Sequence, residues 1–245
     1  MRKLPLVALA GALHALPTAG CTAEPSSADR AFGEKVRAYL LSHPEVVAEA
    51  MTALQAKQDL AAAEASKTAI ADNRAKIERD GRDPVVGARE ARITVTQFFD
   101  YRCPYCKVAG GQIQAFIAKH PDVRFVFKEF PILSETSTKA AKLALAADRQ
   151  GKYLTVHTAL LAAPNLNDAI IDDVLKGAGV DLVRAKADAA SQAVSKQIEE
   201  NQALARLLGV NGTPAFIVGE RISNGWAPDE LDAEIAAQKK TPKRG

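Results

Sequence analysis

The sequence predicts an α/β chain: a strand–helix–strand unit, a long helical stretch, a returning strand with its hairpin, and a helical arm ahead of them all. Three observations carry this. Ile93-Thr94-Val95-Thr96-Gln97-Phe98-Phe99 and Val123-Arg124-Phe125-Val126-Phe127 are β-branched and aromatic runs flanking a helical segment from about Cys103 to His120, which makes a βαβ unit with parallel strands. From about Glu135 to Leu208 the spacing is helical throughout, with breaks at Gly151, Pro164, Gly177-Ala178-Gly179 and Asp181. Ala215-Phe216-Ile217-Val218 then returns as a strand, and Gly219-Glu220 turns it into Arg221-Ile222-Ser223 before a closing helix from Pro228 to Gln238.

Composition narrows the class further. Alanine is abundant and aromatics make up only 5% of the 245 residues, which favours helix over an all-β fold. The formal charge is +3, but without Arg2 and Lys3 the remainder is balanced, so charge implies no nucleic-acid partner. Arg2 and Lys3, the apolar run Leu4 to Leu16 and the small residues up to Gly20 read as an export signal over residues 1–20. That run is too short to span a bilayer. Small residues ahead of Cys21 resemble the lipobox of bacterial lipoproteins, although Thr18 stands where leucine is usual. Cleavage after Ala23 is the alternative and removes Cys21. Either route places the mature chain where disulfides persist.

Residues 21–82 read as a tether followed by the arm. Phe32, Val36 and Leu40 form one apolar stripe of a first helix, about Asp29 to Leu41. Ser42 and Glu45 have the spacing of a capping box that restarts a second helix with Pro44 in its first turn. Val47, Met51 and Leu54 continue a stripe, and Ile70 and Ile77 stand one heptad apart. Such an arm either oligomerises or folds back on its own domain. Gly81-Arg82-Asp83-Pro84 ends it, and Val85-Val86 reads as an edge strand.

The chemistry is carried by Cys103-Pro104-Tyr105-Cys106, placed where a strand ends and a helix begins. Unpaired N–H groups and the positive end of the helix dipole there favour a thiolate on Cys103, and Arg102 and Lys107 add positive charge. Cys103 is therefore expected to ionise below the free-thiol value of about 8.5 and to attack, with Cys106 resolving the mixed disulfide. Half of a structural zinc site and a purely structural disulfide compete. The first needs two more ligands, while His120 and His157 are distant in sequence.

Phe98-Phe99-Asp100-Tyr101-Arg102-Cys103-Pro104-Tyr105-Cys106-Lys107 closely resembles the active-site segment of the DsbA-like thioredoxin-fold disulfide oxidoreductases, and Gly212-Thr213-Pro214-Ala215-Phe216 resembles that family's second motif. The resemblance covers residues 83–245. It implies a thioredoxin-like fold with an inserted helical subdomain at about 135–208 and an N-terminal helical arm. It also implies a cis Pro214 beside the reactive disulfide, a Thr213 backbone that pairs with substrate, and no cofactor beyond the Cys103–Cys106 disulfide. Tyr39-Leu40-Leu41-Ser42-His43-Pro44-Glu45-Val46 is similar to the ScsC-like branch linked to copper tolerance, some of whose members trimerise through the arm and act as isomerases.

What the resemblance implies for this chain is an exported oxidoreductase that forms, isomerises or reduces disulfides of periplasmic client proteins with a membrane redox partner. Copper(I) binding by the same two thiolates is the rival. Two departures matter. Tyr105 stands where strongly oxidising members have histidine, and Gln97 stands where they have a buried acid. Arg102, Pro104 and Tyr105 thus tune the pair: Tyr105 in place of histidine implies a less oxidising couple, while Arg102 and the helix start at Pro104 keep the Cys103 thiolate favoured. Phe98, Phe99 and Trp226 are expected in the core, Asp100 as a solvated strand-end acid or else as a group that tunes the cysteines or relays a proton to Cys106, and His43, His120 and His157 as ordinary residues.

Overall fold

The computed structural model describes residues 26–240, so the export signal and Cys21 lie outside the described residues. The chain divides into two units, residues 1–58 and 59–245.

In the first unit, helix α1 (Ser27–Ser42) opens with a capping box in which the Ser26 hydroxyl accepts from the Asp29 N–H and the Asp29 carboxylate accepts from the Ser26 N–H. Helix α2 (Pro44–Glu78) begins in this unit with Pro44 at its first position. The expected Ser42–Glu45 capping box is not formed. α1 runs through Ser42, and its hydroxyl turns back to the carbonyls of Ala38 and Tyr39, each at 2.9 Å. His43 makes the break instead: its N–H donates to the Tyr39 carbonyl at 2.8 Å and its ring stacks on Tyr39. Phe32, Tyr39, Met51 and Leu54 are exposed.

The second unit is a five-stranded sheet covered on both faces. β1 (Val85–Gly87), β2 (Ile93–Phe99), β3 (Val123–Glu129), β4 (Ala215–Val218) and β5 (Arg221–Asn224) lie in the order β1-β3-β2-β4-β5. β2 and β3 run parallel from Ile93 opposite Val123 to Phe99 opposite Glu129, and the other pairs are antiparallel. Helix α3 (Pro104–Lys119) is the crossover between β2 and β3. Burial on both faces explains why every residue of β2 and β3 is buried and why Phe98 and Phe99 point into different cores.

The helical stretch resolves into α4 (Glu135–Asp148), α5 (Tyr153–Ala162), α6 (Asp168–Gly177), α7 (Leu182–Ala189) and α8 (Gln192–Leu208). A break at Ala190-Ser191 adds to those read from the sequence; its signal is Ser191, which caps α8 by accepting from the Val194 N–H. Gly209 ends α8 in the left-handed region (φ 76°), a conformation that strains other residues. Gly110 permits α3 to meet α5, because a Cβ there would sit 2.7 Å from Leu161. Trp226 packs on Phe116 and Phe216 ahead of α9 (Pro228–Lys240).

Side chains of α4 to α7 share one core with α3 and the sheet, whereas Leu204 and Leu208 of α8 pack on the other face with Phe98, Ile217, Ile70 and Ile77. Residues from 59 onward build with the sheet, because Ile70 and Ile77, two turns apart, suffice to seat that end of α2. Lys128 of β3 reinforces the seat by donating to the Lys76 carbonyl at 2.6 Å while ion-pairing with buried Asp83. Burial raises the Asp83 carboxyl to about 6 against the pull of Lys128.

Ile77→Ala should remove the better-buried of the two anchors and lower unfolding stability by about 2–5 kcal/mol. Urea denaturation checks this, and a loss within error would show that this end of α2 contributes nothing to the sheet.

Candidate active site

The cysteine pair sits at the carboxyl edge of the parallel strands. β2 ends at Phe99, the chain turns through Asp100 to Arg102, and Cys103 is the N-cap of α3 with Pro104 at the first helical position. A proline there sacrifices no hydrogen bond, since that N–H has no partner within the helix. No side chain caps this helix, so its free N–H groups face the site. Both cysteines are free thiols; Cys103 is 5% exposed and Cys106 is fully buried. Tyr105, between them, projects outward at 71% exposure.

The second loop arrives from 110 residues away. The Cys103 thiol donates to the Thr213 carbonyl at 3.1 Å, and Thr213–Pro214 is a cis peptide bond leading into β4. Burial pushes the Cys106 thiol far above its ordinary value, with the Asp100 main chain and the Thr213 side chain opposing. Of the basic neighbours, Arg102 is exposed at the turn. Lys107 does not address the sulfur as the sequence suggested: its ammonium donates to the Ala163 carbonyl at the end of α5. Burial, then the charge of Arg102, lower its pKa.

Asp100 is not a solvated strand-end acid. It is 1% exposed, and its Oδ1 accepts from the Arg102 N–H at 2.7 Å and the Ser137 hydroxyl at 2.8 Å. Its Oδ2 accepts from the N–H groups of Ile132 and Leu133 at 2.9 and 3.0 Å. The carboxylate thus ties the catalytic turn to the loop after β3 and to α4. The sequence shows an acid beside the cysteines, but three of its four donors lie 32 to 37 residues away and carry no local signal.

A second buried polar group also escaped the sequence reading. Glu129, at the end of β3, accepts at Oε1 from the hydroxyls of Tyr101 and Tyr153, each at 2.9 Å. Burial holds its carboxyl well above the usual range, against the two tyrosine hydroxyls that favour the charged form. His157 Nδ1 lies 3.2 Å from the Tyr101 oxygen, and the ring is enclosed by Phe99, Phe127 and Tyr153. Burial lowers its pKa to about 3. His120 instead faces Asp232, 2.6 Å away. Among the described residues no group of three or more His, Cys, Asp or Glu side chains could hold a metal ion, and no helix is long and apolar enough to cross a membrane.

Residues 94–236 match the DSBA-like thioredoxin domain, and residues 30–61 match the copper resistance protein ScsC N-terminal domain. A thioredoxin-like oxidoreductase from Silicibacter pomeroyi DSS-3 is 36% identical, over 69% of this chain and 99% of that one, with a TM-score of 0.67. ScsC of Proteus mirabilis in a transitional conformation is 29% identical, over 85% of this chain and 97% of that one, with a TM-score of 0.65. The curated protein Na(+)/H(+) antiporter NhaA 3 of Salinispora tropica is 32% identical over 159 residues, which are 64% of this chain and 24% of that protein. The chain spans about a quarter of the length of the antiporters it matches.

The buried imidazole has a consequence for stability. Its folded-state pKa of about 3 lies below the ordinary 6.5, so only the unfolded chain takes up a proton as pH falls through 6.5. Stability from this group is full above about 6.5 and is lost progressively toward 3. The raised pKa of Asp83 acts in the opposite sense, so the comparison with His157→Phe isolates the imidazole. Urea unfolding from pH 7 to 4 should show the variant gaining on the parent by at most about 1.4 kcal/mol per pH unit below 6.5. Parallel curves would mean that the imidazole is not held neutral.

Proposed function

The chain belongs to the DsbA-like thioredoxin domain family, and from that premise we propose that it is an exported thiol–disulfide oxidoreductase acting on client proteins of the bacterial periplasm. The observation that carries this is the Cys103 thiol at the uncapped start of α3, hydrogen-bonded to the Thr213 carbonyl, with Cys106 buried behind it.

The chemistry balances without an added cofactor. In the reducing direction the Cys103 thiolate attacks one sulfur of a client disulfide, forming a Cys103–client bond and releasing the other client sulfur as a thiolate that takes a proton from water. Cys106 then loses its proton, attacks the Cys103 sulfur and releases the second client thiol. Two electrons pass to the client, and the Cys103–Cys106 disulfide remains. Oxidation of a client is the reverse. Burial of Cys106 suits the resolving role, since a thiol that ionises reluctantly does not compete for the first attack.

Thr213 offers backbone to an extended client segment, in the manner of strand addition, and Pro214 fixes the loop that presents it. Arg102, the Pro104 turn and the helix terminus favour the Cys103 thiolate. Tyr105 cannot become a cation, so the couple is less oxidising than in relatives with histidine there. The leader read from the sequence and the family support a periplasmic site of action, held to the membrane if Cys21 is lipidated, with a membrane redox partner that recharges the cysteines. The exposed stripe of Phe32, Tyr39, Met51 and Leu54 supports a homo-oligomer through the arm and, with it, isomerase work. The match of residues 30–61 to a copper resistance domain keeps a second reading, copper(I) held by the two thiolates. Copper titration of the reduced protein tests it.

The reduction potential of the pair, measured in glutathione buffers on protein of recorded mass in solution, tests the main reading. A value of about −180 mV or higher in an oligomer fits an isomerase or oxidase, and one near about −270 mV fits a reductase. Absence of any exchange would sink the proposal. Cys106→Ser should accumulate a mixed disulfide on Cys103, detectable by mass under non-reducing conditions.

A further inference from the structure

The edge of the sheet opposite the cysteines gathers positive charge. Ile93 and Val123 open the two parallel strands there, and the loop of residues 88–92 is held to them by the Ala88 N–H, which donates to the Val123 carbonyl at 3.1 Å. Arg79, just beyond α2, donates to the Arg89 and Ala91 carbonyls at 3.1 and 2.7 Å. Arg124 of β3 donates to the Glu78 carbonyl at 3.1 Å and to the Arg89 carbonyl. Arg92 donates to the Gln238 carbonyl at 2.8 Å, which brings the last turn of α9, and with it Lys240, to the same edge. Arg124 is 8% exposed, whereas Arg79, Arg89 and Lys240 stand in solvent.

Carboxylates do not neutralise this edge. Among the described residues none of Arg79, Arg89, Arg124 and Lys240 is ion-paired, and the acids nearby have other partners: Glu78 has Arg74, Asp83 has Lys128 and Asp122 has Lys239. Only Glu90 and the half-buried Asp148 remain to oppose the cluster. Backbone carbonyls hold Arg79 and Arg124 in place but leave their full charge. Burial first, then Arg79 and Arg89, lower the pKa of Arg124, with Glu90 opposing. Like charges held together carry a free-energy cost that an anionic partner removes. The chain as a whole has 32 basic and 29 acidic residues, so the excess at this edge is a product of the fold and not of composition.

We propose that this edge docks on the surface of an anionic phospholipid bilayer and turns the cysteines away from it. Exposed cations spread over a strand edge, a loop and a helix end act as a field, which suits many headgroups at once better than one bound phosphate. The seven residues of β2 span about 20 Å between the two edges. A molecule docked this way keeps Cys103 beyond the screening length of about 10 Å and open to clients. The choice of a bilayer over another anionic surface rests on the export proposed in the preceding subsection.

The test is co-sedimentation with vesicles of the chain from Glu24 onward, which lacks the leader and Cys21, so that no apolar leader or acyl chain contributes. Vesicles of phosphatidylcholine alone are compared with an equal mixture of phosphatidylcholine and phosphatidylglycerol. Partition into the mixed vesicles at about 0.1 M salt should be at least about tenfold higher. It should be lost at about 1 M salt, where the screening length falls to about 3 Å. Arg89→Gln and Lys240→Gln each remove one exposed charge and should each weaken partition about fivefold, the equivalent of about 1 kcal/mol. Arg206→Gln removes one charge beside the loops at the cysteine edge and should leave it unchanged. Equal binding to both vesicles, or binding that survives both substitutions, would overturn the proposal. A loss with Arg206→Gln as large as the other two would also overturn it, because the attraction would then have no orientation. These outcomes are read on purified protein and leave export standing, while exchange of the same protein with glutathione disulfide tests the oxidoreductase reading separately.

Discussion

β2 and β4 pair antiparallel with Phe98 opposite Ala215, so the residues that follow β2 and those that precede β4 must emerge at the same edge of the sheet. The site depends on this register. It brings Cys103 within 3.1 Å of Thr213 although 110 residues separate them, and a slip of one residue would turn every side chain of β4 to the other face. Parallel pairing of β2 with β3 adds the third component, because Glu129 ends opposite Phe99 and the loop from Phe130 to Ser134 starts at that same edge. The places of the thiol pair, the loop before β4 and the loop after β3 are thus consequences of one strand order.

Buried polar groups then fix how these loops stand. Asp100 takes four hydrogen bonds from three segments, and an acid so enclosed is tolerable only because its lone pairs are occupied. Glu129 meets the same constraint differently: two tyrosine hydroxyls donate to Oε1, and burial raises its carboxyl well above the usual range. Lys128, on the opposite face, is met by Asp83 and the Lys76 carbonyl. Each of these groups links elements distant in sequence, which makes the edge of the sheet rigid while Tyr105, Ile132 and Leu133 remain available to a partner. A hydrogen-bonded carboxylate beside the cysteines and the full burial of Cys106 suit the proposed exchange, in which Cys103 alone meets the client.

What the sequence by itself determined are the features that local chemistry specifies. The βαβ unit, the returning strand and the hairpin follow from β-branched runs and turn residues, and the cysteine pair falls at a helix start because Pro104 suits that position. The motifs at Cys103 to Cys106 and at Thr213-Pro214 were legible for the same reason, as each is contiguous. The helical stretch was legible as helix, although the break at Ser191 was not, since a lone serine is a weak stop signal among good helix formers.

Tertiary structure alone decided the rest. Asp100 looked solvated because nothing near it in the chain reveals that Ile132, Leu133 and Ser137 will close over it. Ser42 looked like a cap because spacing cannot tell whether a helix ends before a serine or runs through it. Lys107 looked like a neighbour of the sulfur, yet its long side chain reaches the end of α5. Ile70 and Ile77, one heptad apart, left their partner open, and the structure seats them on a sheet face already lined by Phe98 and Ile217. In each case the deciding partner lies far along the chain or on another element. Local patterning records which face of an element is apolar and where the element stops, but not what that face or its end will meet.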